Sequence, residues 1–305
     1  MRARRERDHP SASRLAGTVV AAHGRSYLVA LDEGRRLPCF PRGKRSEIAC
    51  GDRVQVALAS ADQGVIEAVE ARSSLLYRSD AFRQKIIAAN VSQVVLVLAA
   101  MPSWYEDLLN RCLVAAECAG VGVIVVFNKI DLPEAAASRE RLGLYESLGY
   151  PVVPLSARLG VEALRPRLLG HTSVFVGQSG MGKSTIVNAL FPEARAATAE
   201  ISAALDSGRH TTTHATLYTL DTDSAVIDSP GLQDFGLHHL EVTDVDAAFR
   251  EFRPFIGRCR FANCRHLSEP GCAVLAAVGE GTVSDRRLAA YRAIVEEKRR
   301  AAPPA

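Results

Sequence analysis

The sequence predicts a multidomain chain with three successive folds: a small antiparallel β-barrel, a central α/β unit with a parallel sheet, and a short helical module. Three observations predict it. Residues 14–72 carry five short strand patterns separated by turn residues. Residues 73–236 alternate apolar strand runs with helical patterns. Residues 237–305 hold three cysteines and a histidine within fourteen residues, followed by a helical repeat. The chain of 305 residues is long enough for two or three domains, and 48% hydrophobic with 23% charged residues is a globular composition. No run is long and apolar enough to span a bilayer. The start, Met1 to Pro10, lacks the apolar core of a signal peptide. A cytoplasmic protein is expected.

Residues 1–13 read as a disordered basic arm, with Arg2, Arg4, Arg5 and Arg7. Leu15 to Ala21, Tyr27 to Leu31, Leu37 to Phe40, Val54 to Ala59 and Val65 to Val69 then read as strands. Asp32-Glu33-Gly34 and Gly51-Asp52 supply turns between them. Five short strands in about sixty residues suggest a Greek-key barrel of the OB type, a fold that commonly binds RNA or single strands. The other reading is a barrel used for protein contact. Tyr27 and Phe40 are the stacking candidates, and Arg42, Lys44 and Arg45 form a second basic cluster. The net charge is only +3. Such clusters suit phosphate backbones, or simply keep a chain end solvated.

Arg72 to Lys85 reads as a linker into the central unit. Val91 to Ala100 is a buried strand, and Glu106 to Ala119 a helix with Leu108, Leu109, Leu113, Val114 and Ala116 at helical spacing. Val121 to Phe127 is a continuous apolar run, as a parallel strand covered on both faces should be. It ends in Asn128-Lys129-Ile130-Asp131, at the carboxyl end where open α/β sheets bind ligands. Asp131 can accept from guanine N1 and the 2-amino group, a donor pair that adenine lacks. Asn128 would contact the base or tie loops together, and Lys129 can lay its aliphatic stem along the base plane. Ser156-Ala157, after Pro151 to Leu155, would offer a backbone N–H to guanine O6. Arg165 to Gly170 joins the two halves of the unit.

Ser173 to Val176 is the next strand, and Thr185 to Leu190 continues as a helix. Between them lie Gly177, Gln178, Ser179, Gly180, Met181, Gly182, Lys183 and Ser184, which with Thr185 make a phosphate loop. Its glycines let successive backbone N–H groups face phosphate oxygens, and the helix adds its N-terminal dipole. Lys183 should reach the β- and γ-phosphates as a catalytic cation, and Ser184 should ligate Mg²⁺. Asp228 follows the strand Ala225 to Ile227 and can hold the Mg²⁺ shell, while Gly231 can give its N–H to the γ-phosphate.

The order of these motifs is reversed relative to an ordinary GTPase, where the phosphate loop leads. The central unit therefore reads as a circularly permuted P-loop GTPase domain. Gly208 to His214 lies where a first switch would, and Thr211, Thr212 or Thr213 could ligate Mg²⁺ there. Many GTPases place a water-orienting Gln after the Asp-x-x-Gly glycine. Here that residue is Leu232, and Gln233 stands one position late. Water positioning falls instead to His210, to Thr212, or to a partner, so slow intrinsic hydrolysis stimulated by a docked partner is expected.

Cys259, Cys264, His266 and Cys272 have the composition of a closed tetrahedral zinc site, one structural ion with no position left for catalytic water. Pro270-Gly271 marks the turn that wraps the loop round the metal. Asp285 to Val295 has apolar residues at helical spacing, before the charged run Glu296 to Arg300. Cys39, Cys50, Cys112 and Cys118 are scattered and expected to pack as small apolar residues.

In this order of parts the chain resembles the bacterial ribosome small-subunit-dependent GTPase A family. The resemblance covers nearly the whole chain. It rests on Gly177 to Thr185, Asn128 to Asp131, Gly208 to Thr213, Asp228-Ser229-Pro230-Gly231 and the Cys259, Cys264, His266, Cys272 spacing. Asn90 to Val94 and Arg111 to Glu117 are also similar to family segments. The family commonly has Thr where this chain has Ser229; both are small hydroxyl residues. The resemblance implies late maturation of the small ribosomal subunit, contact with ribosomal RNA, and GTP hydrolysis to GDP and phosphate stimulated by the ribosomal particle. A monomer with no membrane partner is expected. Two other classes compete. A metabolic kinase is disfavoured by Asn128-x-x-Asp131. A nucleotide-regulated RNA-binding scaffold with negligible catalysis draws on the missing Gln.

Overall fold

A computed structural model describes residues 14–43, 47–79, 84–193, 215–229, 237 and 239–301. Strands β1 (Leu15–His23), β2 (Ser26–Leu31), β3 (Arg36–Pro41), β4 (Arg53–Leu58) and β5 (Gly64–Val69) form the N-terminal unit. β1 pairs antiparallel with β2 and β2 with β3; β3 runs parallel to β5, and β4 closes the ring between β5 and β1. This is the closed five-stranded barrel that the spacing of short strands predicts. Its interior is filled by alternate residues, among them Val19, Tyr27, Val29, Leu37, Val54, Val56 and Ile66. A register shift between Val19 and Ala21 bends β1. Leu15 to Thr18 pair with β4, whereas Ala21 and Ala22 pair with a strand of the central sheet.

The stretch expected to be a linker is instead a hairpin, β6 (Leu75–Ser79) and β7 (Gln84–Ala89). Leu76, Ile87 and Ala88 are buried, so it packs as structure. Its connection, Asp80-Ala81-Phe82-Arg83, offers neither glycine nor an Asn-Gly pair, so the sequence gives no hairpin signal there.

The central sheet consists of β8 (Gln93–Ala99), β9 (Gly122–Asn128), β10 (Val152–Pro154), β11 (Thr172–Val176), β12 (Ala215–Thr219) and β13 (Ala225–Asp228). Their order in space is β10-β9-β8-β11-β13-β12, parallel except at β12. All seven residues of β8 are buried. The helices are α1 (Glu106–Cys118), α2 (Ala135–Glu140), α3 (Gly143–Ser147), α4 (Arg165–Leu168) and α5 (Lys183–Leu190). The sequence-later β11 lies beside the sequence-earlier β8, which is the permutation made physical. One helical turn, α4, and Gly170 in the left-handed region (φ +73°) bridge the two halves.

The C-terminal module comprises α6 (Val242–Ala248), a 3-10 turn (Arg250–Phe255), α7 (Ala273–Gly279) and α8 (Asp285–Ala301). Phe249, Phe252 and Tyr291 pack as aromatic neighbours in its core, which also takes in Val114 of α1. α7 was not expected from the sequence, and α8 runs past the predicted Val295. Arg287 is fully buried, paired with Glu251 at 2.5 Å and bonded to Asn110 of α1. No helix among the described residues is long and apolar enough to cross a membrane.

Candidate functional site

The carboxyl ends of β8, β9, β11 and β13 bring the separated motifs together. Asn128 is the centre of the arrangement and is 2% exposed. Its Nδ2 donates to the Met181 carbonyl at 2.9 Å, and its Oδ1 accepts from the Ala157 N–H at 3.0 Å. One side chain thus ties the phosphate loop to the Ser156-Ala157 loop. Of the two roles open to Asn128, the structure displays the tie. Lys129, at φ +61°, sends its ammonium to the carbonyls of Gly180 and Met101, each at 2.6 Å. Asp131 is exposed, and a hydrogen bond from the Ser156 side chain holds its carboxyl below the usual range.

The phosphate loop follows β11 and opens α5. Gly177 and Gly182 have φ of +142° and +95°. A Cβ on Gly182 would stand 2.2 Å from Asn128 Nδ2, and one on Gly177 would stand 2.3 Å from the Val97 carbonyl. Both positions therefore need glycine for space as well as for backbone freedom. Met181 is buried, while Ser179, Gly180, Ser184 and Thr185 face solvent at the mouth of the loop. Lys183 donates to the carbonyls of Gly177 (2.5 Å) and Gln178 (2.8 Å). Burial pulls its pKa down and nearby Asp228 opposes that. Asp228 mirrors it: burial raises its pKa and Lys183 opposes. Lys183, at the start of α5, and Asp228, at the end of β13, thus feel each other's charge, an arrangement suited to a polyphosphate and a divalent cation. His210, Thr211, Thr212, Thr213 and Gly231 lie outside the described residues.

The metal cluster is equally compact. The ligand atoms of Cys259, Cys264, His266 and Cys272 all lie within 4.8 Å of one another. A tetrahedral zinc ion with Zn–S of about 2.3 Å and Zn–N of about 2.05 Å sets its ligands about 3.8 Å (S to S) and about 3.6 Å (S to N) apart. Cys259 Sγ is 3.8 Å from Cys272 Sγ, and His266 Nδ1 lies 3.3–3.7 Å from the three sulfurs. The quartet therefore fits zinc. Burial and neighbouring thiols push Cys264 up to about 12, and a central cation would supply the charge that keeps such thiols ionised. Behind His266, Nε2 faces Asp246 at 3.9 Å, and the Tyr291 hydroxyl donates to Asp246 at 2.6 Å. Glu269 accepts from the N–H groups of Arg265, Leu267 and Ser268 and braces the loop. Burial works against its ionisation, but these donors together hold it at about 2.

Sequence reading missed the supports of both sites. The Met101 carbonyl, Asp246 and Tyr291 belong to no motif, and no local pattern marks them.

Comparison with known proteins agrees with this geometry. A family model described as RsgA GTPase matches residues 69–238. The chain is 53% identical over 299 residues to the small ribosomal subunit biogenesis GTPase RsgA of Paraburkholderia phytofirmans, covering 94% of this chain and 95% of the relative. It is 50% identical over 293 residues to the protein of the same name from Nitrosomonas europaea, covering 95% and 93%. Among solved structures, YjeQ from Thermotoga maritima is similar with a TM-score of 0.72 and 32% identity, over 94% of this chain and 99% of that one. YloQ, described as a circularly permuted GTPase, has a TM-score of 0.70 and 26% identity, over 98% and 100%.

Proposed function

The chain belongs to the RsgA GTPase family, and on that premise we propose that it hydrolyses GTP to GDP and phosphate while bound to the small ribosomal subunit, whose late maturation it assists. The observation that carries this reading is the Asn128 tie, which joins the base-reader loop to the phosphate loop despite their reversed order, as recognition of a single nucleotide by both would require. Asp131 and a backbone N–H of the Ser156-Ala157 loop read the guanine edge. The backbone of Gly177 to Thr185 cradles the phosphates, and Lys183 turns its ammonium to the β- and γ-oxygens. Ser184 and Asp228, with one of Thr211, Thr212 and Thr213, hold Mg²⁺, which when bound neutralises charge on the phosphates. Gly231 donates its N–H to the γ-phosphate. His210 or Thr212 positions the attacking water, with help from the docked particle. Cys259, Cys264, His266 and Cys272 hold one structural zinc ion.

In this reading residues 1–13 are a basic arm, 14–72 an RNA-binding barrel, 73–236 the GTPase domain and 237–305 the zinc module. The protein works as a cytoplasmic monomer on ribosomal RNA. Phosphate release with and without small ribosomal subunits tests the whole. Slow release by the protein alone, rising with subunits and competed by GDP but not ADP, is the expected result. GTP binding with no stimulation by subunits would favour the nucleotide-regulated scaffold. Metal analysis should find one zinc per chain.

A further inference from the structure

We propose that Gln178 is a positioning residue, whose side chain holds the segment Ala100–Tyr105 as a strap against the phosphate loop. The inference rests on the reading of Gly177 to Ser184 as the GTP phosphate loop. The strap links the end of β8 to the start of α1. The Tyr105 N–H points at the Gln178 side chain at 3.2 Å. A backbone amide can only donate, so the atom facing it is the carbonyl oxygen Oε1. The strap is also tied to the base-reading loop, through Lys129 to the Met101 carbonyl at 2.6 Å and the Ala100 N–H to the Asn128 carbonyl at 3.3 Å. Pro102 stands 3.4 Å from where a Cβ of Gly180 would lie. Trp104 is the outer anchor. It is 2% exposed, donates from Nε1 to Ser138 Oγ at 2.9 Å, and carries the Arg141 guanidinium 4.0 Å above its ring.

The strap thus touches both the phosphate loop and the Asn128–Asp131 loop, and Gln178 is its bond to the amino-terminal end of the phosphate loop. A motif reading gives Gln178 to the nucleotide. The geometry turns its side chain away to the strap, where it preorganises the loop that presents backbone N–H groups. With the bond broken, Gly180 loses its backing and the second acceptor of Lys129 is free to move.

The chain has a single tryptophan, Trp104, so its emission reports the strap without labelling. The test uses the full-length protein and measures GDP affinity together with Trp104 emission in wild type, Q178A, Y105P and the double variant. Y105P deletes the donor without touching the phosphate loop. Each single variant should bind GDP roughly two- to tenfold more weakly, the worth of one hydrogen bond. Each should also lose the nucleotide-induced change in emission, and the double variant should be no weaker than the worse single one. Q178E, which keeps an oxygen acceptor for the amide, should restore wild-type emission in nucleotide-free protein. If Q178A weakens binding while Y105P binds GDP and emits as wild type does, Gln178 acts on the nucleotide and the proposal is overturned. Wild-type affinity in both single variants overturns it as well. Failure of the wild type to bind GDP would instead sink the phosphate-loop reading beneath it.

Discussion

Asp131 shows how a neighbour sets the working range of one side chain. In the role proposed for it, it must be ionised to accept two hydrogen bonds from guanine, and it sits exposed at the lip of the site. The hydrogen bond from Ser156 lowers its pKa, so it stays a carboxylate at acidities where an ordinary aspartate, near 3.9, is half protonated. The sign follows directly: a lowered value preserves guanine binding as pH falls, and loss of Ser156 gives that protection up. Ser156→Ala should therefore move the acid limb of GDP binding to higher pH than in the wild type. Phosphate and Asp228 titrate alike in both proteins, so the difference between the two curves isolates Asp131. Coincident curves, measured by calorimetry across the acid range, would show that Ser156 has no such role.

At the scale of elements, α1 is the seat of the C-terminal module. Glu106 receives Arg286, Glu117 receives Arg250 and Arg253, and Arg111 reaches Glu297. These pairs are partly exposed and worth little singly. Arg287 differs, because it is wholly enclosed with Glu251 and lies over the Phe249 ring at 4.2 Å. Arg287→Ala strands a buried carboxylate, and should cost about 3–5 kcal/mol by thermal or urea unfolding. Arg287→Met should cost clearly less with Glu251→Leu present, since the lone charge is then gone. Equal losses in the two proteins would contradict this account. The same contrast explains what the sequence could reveal. The Cys-His quartet was legible because its members fall within fourteen residues, and the barrel strands because each is a short run set off by turn residues. Arg287 reads as one more polar position on an amphipathic helix, because Asn110 and Glu251 come from remote parts of the chain. The Asn128 tie was legible only as one of two roles, since its partners Met181 and Ala157 lie 53 and 29 residues away. Hairpin β6–β7 failed for a different reason, its turn having no turn chemistry.

Across the whole molecule the two appended units grip opposite halves of the central sheet. The C-terminal module rests on α1, beside the base reader. The barrel lies against the strands that lead to and from the switch motifs. A Cβ on its Gly51, at φ +92°, would stand 3.3 Å from Ile227 Cδ1. Tyr77 of the hairpin meets His239 with ring centroids 5.2 Å apart. Ala21 and Ala22 of β1 pair with Thr216 and Ala215 of β12, so a single sheet of eleven strands runs from β10 into the barrel. That continuity limits how the protein can be taken apart. A truncated chain beginning at residue 73 would leave the outer rim of β12 with bare amide and carbonyl groups, a template onto which another chain's strand can zip. Such a fragment should self-associate more than the intact chain in sedimentation, and a proline at Thr216 should curb the tendency. The N-terminal barrel is thus also the stopper that keeps the central sheet from growing.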